Sequence, residues 1–429
     1  MRRRHALRAG AAALGAGVIG SPAAGVVSAQ SDDEDGYGPI GAVEVDGTRE
    51  AVVSDDGRTA FLALGDGYAT ADVSDPADPV ETGFHGTAFP IHNCFLDGRH
   101  CYLTGNGARG NPLVVVDVAA HTEVARWSLF DRDDAWADVA GGLRTLHDVT
   151  VRDGVAALSY WDAGTYLLDV STPSEPVHVG TVDAGDPADL RAPRAREGVV
   201  PPGNHHHSLL APGGDVLAVG RETWAVERDG DVVGGPSGVD LYDVSAPDDP
   251  VRLSSIAPPP TPDPTFGGTW TTAHNFAVRE DTLYTAWYQG GVRRHDVSDP
   301  ANPVEETWWA DPGTTRFWAA TPAVPGEFLV APSMGTRGGA PAGLWTFPDA
   351  PGTGGDRSRL SADAAGATAG ATPGETTEPS ATPTATSSPT ETPTPTASRA
   401  AGPGFGAGSA VAGLGASLAL ALRRLRRDD

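Results

Sequence analysis

"GTYLLDVSTPSEPV", residues 164–177, decides the fold, because its second half returns along the chain. "DVSDPADPV" begins at Asp72, "DVSAPDDPV" at Asp243 and "DVSDPANPV" at Asp296. "DVAAHTEVA", from Asp117, is a degenerate copy. A β-rich run precedes each copy, as in "GVDLYDV", "GVRRHDV" and "PLVVVDV". The Asp and Ser of the phrase are suited to bonding backbone N–H groups ahead of them, and the first Pro sets the turn. The second Pro opens the next strand, where a missing donor is tolerated. The phrase is therefore turn chemistry and its Asp residues are structural, with loop calcium as the lesser alternative.

Upstream lies a second regularity. "HNCFLDGRHCYLTG" from His92, "HDVTVRDGVAALSY" from His147, "HSLLAPGGDVLAVG" from His207 and "HNFAVREDTLYTAW" from His274 align without gaps. Each reads as strand, turn, strand. Copies from Arg49 and Arg316 lack the histidine and need small length adjustments. Each unit thus holds strands A, B, C and D in about 50 residues, the length of a propeller blade. Six units fit, and the last lacks strand D. "GPIGAVEV", at the start of the repeat region, looks like the other D strands and supplies it, closing the ring and removing sheet edges. The expectation is an all-β fold, a six-bladed propeller over residues 39–348, with residues 39–45 as the outer strand of the last blade.

"LLDVSTPSEP" and "RRHDVSDPANP" resemble the LVIVD repeat of exported bacterial and archaeal proteins. That resemblance implies a propeller and says little about activity. The termini carry further resemblances. "MRRRHALR" opens a segment, residues 1–29, similar to a twin-arginine export signal, with Ala6 where an aromatic is usual and a small-residue cleavage pattern at Val27-Ser28-Ala29. Residues 30–38 form an acidic linker. Residues 349–402, rich in Thr, Pro and Ser, have too little apolar surface to fold and read as an extended, disordered stalk. Residues 403–429, from Pro403-Gly404-Phe405 to a cluster of Arg, resemble the PGF-CTERM signal, which implies removal by an archaeosortase and replacement by a lipid. The alternative is a retained transmembrane helix of about 17 residues. Either way the protein is membrane-anchored at its C-terminus and faces the outside.

Net charge is −26, and none of the 30 basic residues is Lys. This resembles halophilic archaeal proteins, although a codon bias towards Arg gives the same composition. It excludes nucleic acid as a partner, since phosphates are repelled. Cys94 and Cys101 flank Asp97-Gly98; a tight turn there would oppose them as a disulfide or as two thiols.

In a propeller, strand A starts at one mouth of the central channel and the B–C loops open on the same face. His92, His147, His207 and His274 are therefore expected to converge there, with Arg49 and Arg316 completing the ring. Asp66, Asn106, Asp162, Glu222, Gln289 and Met334 come from the loops. Imidazoles in one cavity suit Zn, Cu or Fe, with Asp162 or Glu222 completing a shell or acting as base. The two Arg suit an anion. The alternative role for the histidines is to support blade starts only. His205 and His206 are expected outside the site. The leading function is a binding module for an extracellular ligand or surface protein, acting as a monomer. The alternative is a metal-dependent oxidoreductase or hydrolase.

Overall fold

The protein is described as a computed structural model over residues 36–361, except 65–66, 87–92, 106–107, 118, 121, 192–198, 202 and 337–338. The repeat phrase behaves as its chemistry dictates. The Asp72, Asp169, Asp243 and Asp296 carboxylates each accept the backbone N–H two residues ahead, at 2.8–2.9 Å. Asp117 of the degenerate copy does the same for Ala119 and Ala120. Strand D then starts directly after the second Pro, at Val80, Val177, Val251 and Val304.

Each unit folds into an antiparallel sheet in the order A-B-C-D, and six such sheets make the propeller. Blade 3 is representative: Leu146–Arg152, Val155–Tyr160, Gly164–Asp169 and Val177–Val182. In blades 1–5 strand D carries one extra residue against strand C, even in blade 2 with its degenerate phrase. The shared bulge raises the local twist of the outer strand. Apolar clusters fill the spaces between neighbouring blades. One joins blades 2 and 3 through Tyr102, Leu113, Val149 and Leu158, and another joins blades 4 and 5 through Leu241, Phe276 and Trp287.

Blade 6 has three strands of its own, Thr321–Val324, Phe328–Ser333 and Gly343–Pro348. Gly41–Glu44 completes it, pairing antiparallel from Gly41↔Thr346 to Glu44↔Gly343. The closure expected from "GPIGAVEV" is therefore present. The ordered domain runs wider than residues 39–348. Tyr37, expected in the linker, stacks on Phe347 and donates its hydroxyl to the Pro348 carbonyl. Residues 349–361, expected to begin the stalk, belong to the fold instead. Gly352–Gly354 adds a parallel fifth strand to blade 5, and Leu360 is buried. Aromatic and carboxylate anchors hidden in a Gly-rich stretch set this edge: Asp349 accepts from the Tyr284 hydroxyl and the Gly326 N–H. The expected export signal, the remainder of the expected stalk and the expected sorting segment lie outside the described residues. Among the described residues no helix is long and apolar enough to cross a membrane.

Blade 2 turns at Gly98-Arg99, because Asp97 pairs with His100. That register opposes Cys101 to Leu96 and Cys94 to Leu103, so the cysteines lie diagonally on one face, as two thiols. The Asp97-Gly98 turn expected from sequence is one residue off, and it would have set them directly opposite each other.

Candidate functional site

Strand A lines the channel, so its alternation decides which side chains reach it. In blade 3, Leu146 pairs with Tyr160 and Asp148 with Ser159, leaving His147 as an extra residue at the strand start. In blade 4, His205 pairs with Arg221 and His207 with Gly220, leaving His206 as the extra residue. His206 is therefore the structural equivalent of His147, and the expectation for His207 is corrected. The cause is turn length. Blade 3 turns from A to B through Asp153-Gly154, two residues between paired Arg152 and Val155. Blade 4 uses four residues, Pro212–Asp215, since Ala211 N–H bonds the Val216 carbonyl. A gapless alignment divides the two extra residues between the strands, and one residue of slip changes the face of every side chain.

The three adjacent histidines consequently meet three environments. His205 points between blades 3 and 4, where Nδ1 lies 2.8 Å from Thr165 Oγ1. Burial, then the Arg221 charge, holds it well below the ordinary pKa, so it stays neutral. His206 lies at the channel mouth. His207 points into the channel, where Nδ1–H donates to Asp148 (2.7 Å) and Nε2–H to the Phe276 carbonyl (3.1 Å). Both partners are acceptors, so both ring nitrogens carry protons and His207 is an imidazolium paired with Asp148. Burial opposes the charge. The Asp148 charge and hydrogen bond, with Glu50 and the Phe276 carbonyl, outweigh it and raise the pKa.

A pH dependence follows. Because the folded pKa of His207 is raised, its contribution to stability is complete below the unfolded value of about 6.5. It is lost as pH rises through the higher folded value. Denaturant midpoints of the wild type should fall over that range, and the matching step should vanish when His207→Ala and Asp148→Asn are combined. A step that survives the double change would assign it elsewhere.

At the mouth, rings from successive blades meet. The His147 and His206 centroids are 4.1 Å apart, those of His206 and His274 4.2 Å, and those of His274 and Trp318 4.3 Å. Trp318 holds the histidine position in blade 6, because Phe317, the residue before it, pairs with Ser333 as Leu146 pairs with Tyr160. Arg316 was aligned to that position and lies two residues earlier. It stays at the mouth, its guanidinium 5.3 Å from the Trp270 ring centre. The Arg49 backbone occupies the position in blade 1, its N–H bonded to the Ala63 carbonyl. His92, Asp66 and Asn106 lie outside the described residues.

Glu222, just after strand B of blade 4, comes to the same place. One carboxylate oxygen lies 3.4 Å from His206 Nε2, and the other accepts from the Tyr288 hydroxyl. Burial pushes its carboxyl up to about 7 against the Tyr288 hydrogen bond. Ligand atoms of His206, Glu222 and His274 all lie within 4.8 Å of one another. His274 Nδ1–H donates to the Trp318 carbonyl (2.7 Å) and His147 Nδ1–H to the His206 carbonyl (3.3 Å). Such bonds fix the tautomer that leaves Nε2 as the lone-pair nitrogen, as is usual for metal-binding histidines. The donor set, imidazoles plus one carboxylate, fits Zn, Cu or Fe.

Other loop residues shape this mouth without joining the donors. Asp162 accepts the Asn204 N–H at 3.0 Å and so anchors the entry to the three-histidine strand. Gln289 accepts the Trp270 N–H and donates to the Pro312 carbonyl. The Met334 N–H bonds the Arg316 carbonyl. Blade 4 also inserts a hairpin, Ala225–Arg228 with Asp231–Gly234, between strands B and C. Beside it Trp224, Phe266 and Trp270 pack with centroids 4.9–5.1 Å apart, and Trp270 reaches Tyr288 at 5.0 Å. Sequence reading missed this aromatic wall because its members are scattered over 65 residues, Trp224 to Tyr288.

The fold and the recurring phrase together define a repeat protein of β-propeller architecture. The LVIVD repeat model matches residues 145–184, which is blade 3. No curated protein matches the chain. Among solved structures, the chain is similar to the Cps50 (Swd1) β-propeller domain of Myceliophteria thermophila. The likeness has 11% identity and a TM-score of 0.38, and covers 71% of this chain and 87% of that one. It is also similar to the computationally designed Ika8 protein, at 9% identity and a TM-score of 0.34, over 70% of this chain and 83% of that one.

Proposed function

We propose that this protein is an exported, surface-anchored propeller that acts as a binding module through a transition-metal centre at its channel mouth. His206, His274 and Glu222 hold the metal, with His147 beside them. The carrying observation is the meeting of three ligand atoms within 4.8 Å, supplied by two blades and buried or half-buried. Two imidazoles oriented by backbone carbonyls support the same reading. Arg316, with Trp270, gives the mouth a cationic and aromatic rim on which an acidic extracellular ligand or surface protein would dock. Export and anchoring rest on the terminal segments, and the exclusion of nucleic acid on the net charge of −26.

Titration of metal-stripped protein with Zn and Cu tests the centre. One equivalent should bind tightly. His206→Ala, His274→Ala and Glu222→Gln should each weaken it by about 100-fold or more, the effect of losing a ligand or its close support. His207→Ala should leave affinity within a few-fold. Absence of tight binding by the unmodified protein, or loss on the His207 change alone, would refute the centre.

A further inference from the structure

Below the mouth, the second position of strand A faces the channel in every blade. It carries Glu50, Asn93, Asp148, His207, Asn275 and Ala319 in blades 1 to 6. These residues line one cavity of about 360 Å3, a size within the small-molecule range. Its other walls are mainly apolar, with Phe61, Tyr68, Phe95 and Phe276 among them.

The polar groups in this ring are unevenly matched. His207 is committed to Asp148 and the Phe276 carbonyl. Glu50 is left with neutral donors only, the Asn275 side-chain amide and the Ala51 N–H. Asn275 reaches Glu50 across blade 6, where Ala319 is too small to fill the gap. Two carboxylates therefore share one imidazolium. Asn275 is buried, so its amide is committed to Glu50 and brings no charge. Glu50 is half-buried, and a carboxylate facing mainly apolar walls without a cation of its own is costly. Arg152, on blade 3, is turned to the Val278 carbonyl and not to Glu50.

We propose that this cavity binds a small organic monocation, an ammonium group on an apolar or aromatic body, with the ammonium against the Glu50 carboxylate. An ammonium offers three donors and one positive charge, which supplies the cation that the neutral donors around Glu50 do not. The apolar body fits the aromatic walls, whose faces also attract cations. A bare Na⁺ or K⁺ would leave those walls unused. The site is separate from the metal centre and does not depend on it.

Calorimetric titration of the full chain with 2-phenylethylammonium chloride tests this, with 2-phenylethanol as the uncharged counterpart and NaCl and KCl as ion controls. The ammonium should bind with a Kd below about 1 mM and the alcohol at least about 10-fold more weakly. Glu50→Gln keeps the shape and the Asn275 contact, and should weaken the ammonium by about 10-fold while leaving the alcohol unchanged. His206→Ala should leave both unchanged. Equal binding of alcohol and ammonium by the unmodified protein, no binding of either, displacement by NaCl or KCl at equal concentration, or indifference to Glu50→Gln would each overturn the proposal. The alcohol comparison needs no variant, so a misfolded Glu50→Gln protein would not blunt the test.

Discussion

Replacing His207 with Ala should destabilise the propeller by about 3–5 kcal/mol, because Asp148 is then left buried without its cation. Asp148 is 2% exposed and cannot turn to water. Its remaining donor is the Val149 N–H. The loss should appear in urea or thermal unfolding, while metal affinity at the mouth stays within a few-fold. Replacing His206 should do the reverse, costing metal and little stability. Adding Asp148→Asn to His207→Ala should recover part of the loss, since the orphaned charge is gone. If the double variant is no more stable than His207→Ala alone, the ion pair is not the source. If His207→Ala unfolds like the wild type, the pair contributes nothing. Adjacent histidines with opposite phenotypes would follow from a single bulge.

Deleting residues 36–45 should cost about 5 kcal/mol or more, from apolar burial alone. Ala42, Val43 and Val45 are buried, and Tyr37 is lost with them from its stack on Phe347. The ladder from Gly41↔Thr346 to Glu44↔Gly343 goes as well, exposing the strand edge of blade 6. The melting temperature should fall by at least ~10 °C, and the truncated protein should associate through the bare edge. Supplying residues 36–45 as a peptide should restore part of both. An unaltered melting temperature would show that the ring is closed by other means.

The channel residues offer a contrast with the mouth. Glu50 and Glu222 are both carboxyls that burial raises to about 7, yet they sit in different layers and answer to different partners, Asn275 and Tyr288. In strand A of blade 4 the mouth and channel positions are neighbours in sequence, His206 and His207, so a substitution intended for one layer is easily made in the other. The paired changes above separate the layers by readout: metal content for the mouth, stability and cation binding for the channel.

Much of this protein is legible from its residues alone. Local turn chemistry writes itself out in order: an Asp that accepts the next-but-one N–H, a Pro that stops one strand, a Pro that opens another. Repetition of that phrase marks five blades, the strand-turn-strand repeat upstream adds the sixth, and the strand-like "GPIGAVEV" gives the closure. The B–C loop of blade 4 also placed Glu222 at the mouth, since a loop's face follows from topology. What escaped was anything that turns on a single residue of register. The longer Pro212–Asp215 turn moved the matching histidine from His207 to His206, a two-residue shift put Trp318 in place of Arg316, and the Gly98-Arg99 turn set the cysteines on a diagonal. Side-chain direction in a strand alternates with every residue, whereas a repeat phrase tolerates turns of two or four. Which histidine faces the metal, which pairs with Asp148 and which packs between blades is therefore decided only when the strands pair across the sheet.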